Sequence, residues 1–396
     1  MSQATLLDGI VVLDATQVMA GPYCAMLLAD MGARVIKVEP PEGDSTRAMA
    51  GARGGDSAAF GAVNRGKLGI VLDLAQEAGR DVFTRLARSS DILIENFRPG
   101  VMARLGLDYP RLAEENPRLV YASISGFGQT GPFASKGGFD LVAQGMSGIM
   151  SVTGEPDGPP VKAGVPLTDL GAGLYALAGI LAALHWRHTS GRGQHIDTSL
   201  FEAGLALSVW EATEYFSGRG IPQRLGSAHR MVAPYQAFRC ADGYINVGAA
   251  NDRMFVRLAE LLGHPEWTMD ERFRTASARV ANRETLAALI EEVTCTGTRA
   301  AWLARLEQAG VPCGPILDYA EALAHPQAEA RQMTVHVDHP ILGPMQALGT
   351  PLKLSATPLD AGRRAPMLGE HTDEVLAAAG YSQDEIEQLR AAGAAR

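Results

Sequence analysis

The sequence predicts an α/β protein, with a parallel sheet covered by helices on both faces and a smaller α+β region after it. In the first half of the chain, short β-branched apolar runs alternate with stretches of helical periodicity. The 396 residues exceed the usual size of one hydrophobic core. Apolar residues make up 46% and charged residues 20%, which is typical of a folded globular protein.

The predicted strands of the large region are short, apolar runs at residues 9–14, 33–39, 69–74, 91–97 and 119–125. Helical periodicity fills the intervals, as at residues 20–31 and 77–88. Further helices are predicted at residues 140–150, 170–188 and 201–215, with a strand-like segment, GQHIDTSL, at 193–200. This alternation of strands and helices is the pattern of a doubly covered parallel sheet.

The second half predicts a small α+β domain between two linkers. A hairpin at 235–249 precedes helices at 252–262, 283–293 and 299–309, and Ser382 with Glu385 forms a capping box before a last helix. Segments 217–228 and 334–358 have the Gly, Pro and polar content of linkers. The predicted boundaries are a large domain at 1–216, a linker at 217–228, the small domain at 229–330, a linker at 331–360, and helices at 361–396 that return to the large domain.

Composition excludes several classes of protein. The net charge of −9 disfavours a nucleic-acid partner. The four cysteines lie far apart without a CxxC pair, which indicates a reducing compartment rather than disulfides or zinc. The N-terminus lacks the pattern of a signal peptide, and the apolar stretch 170–184 is too short for a comfortable membrane span. The prediction is a soluble, cytoplasmic protein with no metal and no membrane partner.

Motifs for the common cofactors are absent or incomplete. The segment GFGQTG at 126–131 matches G-x-G-x-x-G, but Pro132 and a Lys-Gly-Gly turn follow it where a dinucleotide site needs a helix. We therefore predict a loop there and no nicotinamide or flavin site. His336 and His339 fall in a predicted exposed linker.

Asp140 and Asp169 each precede an apolar helix, and two interpretations remain open for them. Either carboxylate can act as an N-cap. Alternatively, Gly171 and Gly173 leave the helix entrance beside Asp169 open to a ligand, and the helix dipole keeps that carboxylate ionised.

Long blocks occur in a characteristic order along nearly the whole chain. They include LDGIVVLDATQVMAGP at 7–22, ENFRPGVMARLGL at 95–107, GFDLVAQGMSG at 138–148, GVPLTDLGAGLYALAGILAAL at 164–184 and LGEHTDEVL at 368–376. In these blocks the chain resembles the class III CoA-transferases, the family of formyl-CoA and carnitine CoA-transferases and, more distantly, of α-methylacyl-CoA racemase. The resemblance implies a Rossmann-like large domain and an interlocked homodimer. It also implies acyl-CoA and free carboxylic acids as substrates, without a permanently bound cofactor or metal.

The resemblance assigns the nucleophile to Asp169, acting through aspartyl anhydride and aspartyl-CoA thioester intermediates. It also implies a set of CoA-binding residues: Gln17, Val18, Met19, Ala20, Leu72, Asn96, Phe97, Arg104 and Lys136. For Leu72 and Phe97 the alternative is core packing, and for Arg104 it is a solvated surface position. Pro40 stands where formyl-CoA transferase has an Arg, a departure that bears on one adenine or phosphate contact.

Phe139 separates the transferase from the racemase interpretation. It occupies the position of the racemase's His, and an aromatic hydrocarbon cannot shuttle a proton. A non-catalytic CoA-binding protein, the second alternative, would be expected to have lost the nucleophile. We therefore predict a transferase.

The acid substrate is predicted from one cation. The Gly-run loop of formyl-CoA transferase is missing, which disfavours oxalate and formyl-CoA, whereas Arg230 follows His229 where many relatives have Pro. A guanidinium there would grip a second carboxylate bidentately, unless Arg230 is an interface or surface residue. The predicted substrate-binding residues are Arg47, Asp140, His229 and Arg230. The predicted donor is succinyl-CoA, and the acceptor a C4–C5 dicarboxylate such as itaconate, mesaconate, citramalate or glutarate.

Overall fold

The chain forms two compact units in a computed structural model that describes residues 5–49 and 51–396. Unit 1 contains the residues up to Ile149, Lys162–Thr213 and Pro326–Arg396, and unit 2 contains Met150–Val161 and Glu214–His325. Residues 150–161 were predicted in the large domain and instead belong to unit 2. The reason is hydrogen bonding to residues 224 and 226 of unit 2: Gly226 N donates to Gly154 O at 2.9 Å, and the Arg224 guanidinium donates to Gly158 O at 2.8 Å.

The described elements follow the predicted alternation. The strands are β1 Val11–Ala15, β2 Arg34–Glu39, β3 Leu68–Val71, β4 Ile92–Glu95, β5 Val120–Ser125, β6 His195–Ser199, β7 Tyr235–Cys240, β8 Gly243–Gly248, β9 Cys313–Pro315, β10 Thr334–His339 and β11 Gly343–Leu348. The helices are α1 Ala20–Asp30, α2 Ala58–Asn64, α3 Glu77–Arg88, α4 Val101–Leu105, α5 Tyr109–Glu115, α6 Asp140–Met146, α7 Ile149–Val152, α8 Leu167–Ser190, α9 Leu200–Leu207, α10 Val209–Phe216, α11 Asp252–Leu262, α12 Ala276–Ala281, α13 Arg283–Thr294, α14 Arg299–Gln308, α15 Tyr319–Leu323, α16 Pro326–Ala330, α17 Thr372–Ala378 and α18 Gln383–Ala391.

Unit 1 is built on a six-stranded parallel sheet in the order β3-β2-β1-β4-β5-β6. This is the strand order of a doubly wound, dinucleotide-type fold. The inner strands are buried along nearly their whole length because helices cover both faces, which explains their continuous apolar runs. The predicted α/β fold with a parallel sheet is confirmed.

Two hydrophobic cores lie on the two faces of this sheet. On one face α1 and α8 pack against Val12, Ile92 and Val120. On the other face α3, α17 and α18 pack against Leu13, Ile70 and Leu93. The sheet is thereby fixed between two helical layers, and only the strand ends remain open for a ligand.

Helix α8 extends well beyond the predicted apolar stretch. It runs from Leu167 to Ser190, and by length and composition it is, among the described residues, the one helix apolar enough to cross a membrane. A core helix meets the same criteria, and Ala172, Ala176 and Ile180 are fully buried in the unit 1 core.

The predicted second linker is partly a β-hairpin. Strands β10 and β11 pair antiparallel within residues 331–360, and His339, predicted as exposed, is 5% exposed and lies 3.8 Å from the Asp56 carboxylate. The Ser382 capping box is confirmed, with both reciprocal bonds present at the start of α18.

Unit 2 contains the antiparallel sheet β7-β8-β9 packed against helices α11, α13 and α14. Its hairpin, β7 and β8, lies within the predicted range 235–249 and turns at Ala241 and Asp242. Helix α11 has the predicted bounds because Asn251 caps its first turn and Gly263 ends it in the left-handed region.

Candidate active site

The topology of unit 1 places a crevice between β1 and β4. The strand order reverses at this pair, and in open parallel sheets ligands bind outside the carboxyl ends of the strands at that reversal. Residues 16–19 follow β1, and residues 96–98 follow β4. These are two of the segments predicted to bind CoA.

The two segments are joined by one side chain. The Oδ1 atom of Asn96 accepts a hydrogen bond from Gln17 N at 2.8 Å, and its Nδ2 atom donates to Gln17 O at 2.7 Å. Glu95, the last residue of β4, accepts from Phe97 N at 2.9 Å. Both turns are thereby held by polar groups at the ends of their strands.

A cleft of about 340 Å³ opens at this place, and Asp169 lines it. The other lining residues come from the ends of β1, β4 and β5 and from the starts of α1, α6 and α9: Gln17, Val18, Met19, Ala20, Asn96, Phe97, Arg98, Ile124, Ser125, Gly126, Gly138, Phe139 and Leu200. The structure therefore brings the predicted nucleophile together with six of the nine predicted CoA-binding residues. That these residues bind CoA stays a prediction.

Asp169 is the third residue of α8 and does not cap it. Pro166 occupies the N-cap position, and the half-buried Asp169 carboxylate has no hydrogen-bond partner among the described residues. Burial, and next the charge of Asp140, raise the pKa of Asp169 to about 7. The predicted ionised state of this carboxylate therefore prevails only above about pH 7, because burial raises its pKa more than the helix dipole lowers it.

Asp140 caps a helix, but not the helix it begins. Its Oδ1 atom accepts from Thr168 N at 3.0 Å and from Thr168 Oγ1 at 2.8 Å, and its Oδ2 atom accepts from Gln144 Nε2 at 2.7 Å. The carboxylate thus ties α6 to the first turn of α8, next to Asp169. Asp140, predicted as a substrate-binding residue, makes structural contacts and lies outside the cleft lining.

Gly171 and Gly173 serve helix packing rather than an open entrance. A Cβ atom at Gly173 would lie 2.6 Å from the carbonyl oxygen of Ala20 in α1, and one at Gly171 would lie 3.1 Å from Leu207 in α9. The prediction that these glycines admit a ligand to the backbone is wrong. They instead allow α1 and α9 to approach α8 closely, which brings the Ala20 end of α1 to Asp169.

The loop predicted from GFGQTG is present, and its first glycine shapes the cleft. Residues 126–139 continue as turns up to α6, and a Cβ atom at Gly138 would lie 2.4 Å from the Cα atom of Gly126. Two backbone segments therefore touch at this wall of the cleft, which only glycine permits.

Two cations lie at the cleft, of which Lys136 was predicted from the sequence and Arg98 was not. Lys136 lines a recess of about 90 Å³ that shares Asn96, Phe97 and Gly138 with the cleft, and its Nζ atom lies 3.6 Å from the centre of the Phe133 ring. Arg98 lines both spaces and was missed, although it directly follows the Asn96-Phe97 pair in a matched block. Arg104 is exposed on α4 and lines neither space.

Two predicted binding residues are structural. Leu72 is 1% exposed inside the second core, so the core-packing alternative holds for it. Arg47 is 4% exposed; its guanidinium bonds Glu39 at 2.7 Å, the Asp56 carboxylate and the Pro366 carbonyl. Four of the five N–H donors of Arg47 are bonded within the fold, and Arg47 does not line the cleft, so its predicted role as an anion contact receives no support from the structure and stays a prediction.

His229 and Arg230 belong to unit 2. Arg230 forms an ion pair with Glu214 at 3.0 Å and donates to the Gln223 carbonyl at 3.0 Å, whereas His229 Nδ1 accepts from Met231 N at 3.1 Å. A substrate carboxylate at Arg230 would have to share the guanidinium with Glu214. The role of Arg230 in substrate binding stays a prediction.

Within residues 5–49 and 51–396, no group of three His, Cys, Asp or Glu side chains is arranged to hold a metal ion. The four cysteines are free thiols.

The structure thus places an unpartnered carboxylate in the switch-point cleft of a doubly wound sheet, which is where this class of fold binds its ligands. The model of CoA-transferase family III matches residues 7–372, and the chain belongs to this family. It is a family III CoA-transferase.

Named relatives cover most of the chain. The acetyl-CoA:oxalate CoA-transferase of Acetobacter aceti is 44% identical and covers 88% of this chain and 89% of its own. The succinate–glutarate CoA-transferase of Agrobacterium fabrum is 42% identical, with 94% and 95% covered. The succinyl-CoA:mesaconate CoA-transferase of Haloarcula marismortui is 39% identical, with 94% and 96% covered.

A solved structure agrees with the fold. The crystal structure of a CAIB/BAIF family protein from Brucella suis superposes with a TM-score of 0.84 at 43% identity, covering 95% of this chain and 100% of its own.

Proposed function

We propose that this protein transfers CoA from an acyl-CoA, in the first place succinyl-CoA, to a small dicarboxylate, with Asp169 as the covalent nucleophile. The observation that carries the proposal is the placement of Asp169. Asp169 is the one acidic side chain among the described lining residues, and its carboxylate accepts no hydrogen bond from the described residues. A carboxylate that is not used by the fold is available for attack on a bound thioester.

The proposed cycle balances without a metal or an external base. The Asp169 carboxylate attacks the thioester carbonyl, a C–O bond forms, and the C–S bond breaks to release CoA thiolate. The product is a mixed anhydride between Asp169 and the acyl group. The thiolate then attacks the Asp169 acyl carbon of this anhydride, which forms the aspartyl-CoA thioester and releases the first acid as its carboxylate. The acceptor carboxylate then displaces the thiolate, which finally attacks the acceptor's acyl carbon and regenerates the Asp169 carboxylate.

The cleft meets two needs of this chemistry. Anhydrides hydrolyse readily, so water must be excluded, and Val18, Met19, Phe97 and Phe139 provide apolar walls. The charged half of a CoA molecule needs cations, and Arg98 and Lys136 stand beside the cleft.

The pKa of Asp169 predicts an acid limb in the pH profile. Because burial raises this pKa to about 7, the nucleophile becomes protonated as the pH falls below 7. We expect kcat/KM for the acyl-CoA to fall about tenfold per pH unit below 7 and to be level above about pH 8. The charge of Asp140 contributes to the raised pKa, so Asp140→Asn should move this limb to lower pH.

The Asp140→Asn variant keeps an oxygen that accepts from Thr168. A limb that stays in place in this variant, with the fold intact by circular dichroism, would show that Asp140 does not tune Asp169.

The racemase alternative receives little support. A side chain with a pKa near 7 suits proton transfer as well, but racemisation needs a second acid/base group across the substrate. Phe139 lines the cleft at the position where the racemase branch has a His. The described lining offers no second group that titrates near neutral pH.

The relatives' names define the acids to test. Glutarate and mesaconate are the acids named for two relatives, which supports a dicarboxylate acceptor. Oxalate, disfavoured by the sequence, is named for the relative with 44% identity and therefore belongs in the panel. We expect transfer from succinyl-CoA to glutarate, mesaconate, itaconate or citramalate at rates well above those with acetate or propionate.

Arg230→Ala tests how the second carboxylate is recognised. If Arg230 binds that carboxylate, the variant should raise KM for the dicarboxylate roughly 10- to 100-fold and leave transfer to monocarboxylates unchanged. Because Glu214 pairs with Arg230, Glu214→Gln is the matched control for loss of the ion pair alone. If both variants lose activity equally with dicarboxylates and with monocarboxylates, Arg230 has a structural role and does not bind the second carboxylate.

We also propose a homodimer in a reducing, cytoplasmic compartment. Leu205, Leu207, Val209 and Trp210 are each about half exposed or more along α9 and α10, and exposed apolar side chains that follow one another in this way are candidate contacts for a second chain. Light scattering on the purified protein should give the mass of two chains, and a single-chain mass would contradict the dimer.

A further inference from the structure

A cluster of buried charges lies directly beneath the turn that follows β1. The side chains of Lys37 and Asp44 are both 0% exposed and 3.1 Å apart. Lys37 Nζ also donates to the carbonyl oxygen of Thr16 at 2.5 Å. The second buried pair, Lys67 and Asp14, adjoins the first, because Asp14 Oδ1 accepts from Thr16 N at 3.0 Å. Two lysine and two aspartate side chains from different segments therefore meet beneath this one turn.

The turn itself is strained. Val18 has φ +69°, in the left-handed region, where a β-branched residue is a genuine outlier. Such a conformation persists only when the surroundings determine it, and it is commonly found at ligand-binding sites. Val18 is also the residue of this turn that is most exposed toward solvent, at 37%, and it lines the Asp169 cleft.

Asp44 is the group that connects the charges to the strained residue. Its Oδ2 atom accepts from Val18 N at 3.3 Å and from Lys37 Nζ, and its Oδ1 atom accepts from Thr46 N at 2.9 Å and Thr46 Oγ1 at 2.8 Å. The Asp44 amide is in turn held by Glu39 Oε2 at 3.0 Å. The Asp44 carboxylate is thus fixed by Thr46 and Lys37. The remaining hydrogen bond that it accepts comes from Val18 N in the turn.

We propose that Asp44, paired with Lys37, is a positioning residue that holds Val18 in the left-handed conformation and so shapes the cleft in which Asp169 receives the acyl-CoA. This inference rests on the proposed function of that cleft. Asp44 does not line the cleft, and it acts through the backbone of the turn.

The electrostatics agree with this role. Burial raises the pKa of Asp44, but Lys37 and the Thr46 bonds lower it by more, so the net pKa lies below the ordinary value. The carboxylate consequently stays charged wherever the enzyme works. An Asn at this position would keep one acceptor oxygen but turn a donor toward Lys37 or Val18 N.

The test is a double-mutant cycle between Asp44→Asn and Val18→Gly. Glycine adopts positive φ without strain, so the turn in Val18→Gly no longer needs Asp44 to hold it. We expect Asp44→Asn alone to raise KM for the acyl-CoA roughly 5- to 100-fold with kcat within about threefold. In the Val18→Gly background, Asp44→Asn should raise KM for the acyl-CoA by less than a third of that factor.

Asp30→Asn is the matched control for simple destabilisation. Asp30 is 3% exposed and pairs with Arg65 at 2.6 Å, and neither residue lines the cleft. Its variant should lower Tm without raising KM. The inference is overturned if Asp44→Asn leaves KM unchanged, or if its defect is as large in the Val18→Gly background as in the parent protein.

Binding measured without turnover separates this inference from the proposed function. In the Asp169→Asn background, Asp44→Asn should weaken CoA binding, measured by calorimetry, by a similar factor. If that weakening is found while the parent protein transfers no CoA, the proposed function fails and the positioning role stands. If transfer is normal and CoA binding does not respond, only the positioning role fails.

Discussion

Asp169→Asn is expected to lower kcat for CoA transfer by about 10⁴-fold or more, the largest effect of any single substitution. An amide cannot attack the thioester or carry the acyl and CoA groups in turn, and no other acidic side chain of the described residues lines the cleft. The measurement is CoA exchange between succinyl-CoA and an acceptor acid, followed by chromatography of the acyl-CoA products. Retention of more than a few per cent of the wild-type rate would contradict the nucleophilic role.

The Asp169→Asn variant should be more stable than the parent protein at high pH. This result would show that its loss of activity is not due to unfolding. Because the folded-state pKa of Asp169 is raised to about 7, the folded chain binds a proton that the unfolded chain releases above pH 4. The resulting loss of stability grows between pH 4 and 7 and is complete above pH 7. Asp169→Asn removes it, so we expect Tm to rise by roughly 5 °C at pH 8 and hardly at pH 4.

Lys67→Met is expected to have the largest effect on stability. Lys67 and Asp14 are both 0% exposed and 2.7 Å apart, and Lys67 also donates to Asn64 and to the Pro22 carbonyl. Removing one partner of a buried ion pair leaves the other charge uncompensated and costs about 3–5 kcal/mol. Thermal unfolding should show Tm lower by roughly 4–6 °C.

The double variant Asp14→Asn, Lys67→Met tests the cause of that loss. The amide side chain in Asp14→Asn keeps an oxygen for the Thr16 amide and removes the isolated charge, so the double variant should unfold above Lys67→Met alone. A double variant less stable than Lys67→Met would mean that the lost side-chain packing, rather than the unpaired carboxylate, dominates.

Local sequence signals predicted much of the fold. Helix α3 has the predicted bounds, and α8 begins three residues earlier than predicted because Pro166, rather than Asp169, is its N-cap. The hairpin of β10 and β11 was predicted as a linker because Pro340 and Pro351 outweighed the alternating Val335 and Val337. Such pairing is settled by contacts far apart in sequence, which local patterns do not contain.

The part of the candidate site that is formed by strand ends could be predicted from the sequence. The properties of its residues that depend on burial could not. The turns after β1 and β4 come together because the strand order places them side by side, as the prediction of a shared CoA site requires; that they bind CoA stays a prediction. The burial of Arg47 and its ion pair with Asp56 could not be predicted from the sequence, because both depend on the fold. The raised pKa of Asp169 also depends on tertiary burial, which the Gly-rich helix entrance alone did not indicate.

The most direct measurement traps the covalent intermediate. The protein is incubated with succinyl-CoA, treated with borohydride, digested and analysed by mass spectrometry. We expect Asp169, and no other residue, to be converted to homoserine through its thioester, and Asp169→Asn to show no such conversion. A modification at another residue, or rapid CoA transfer with Asp169 never modified, would contradict it.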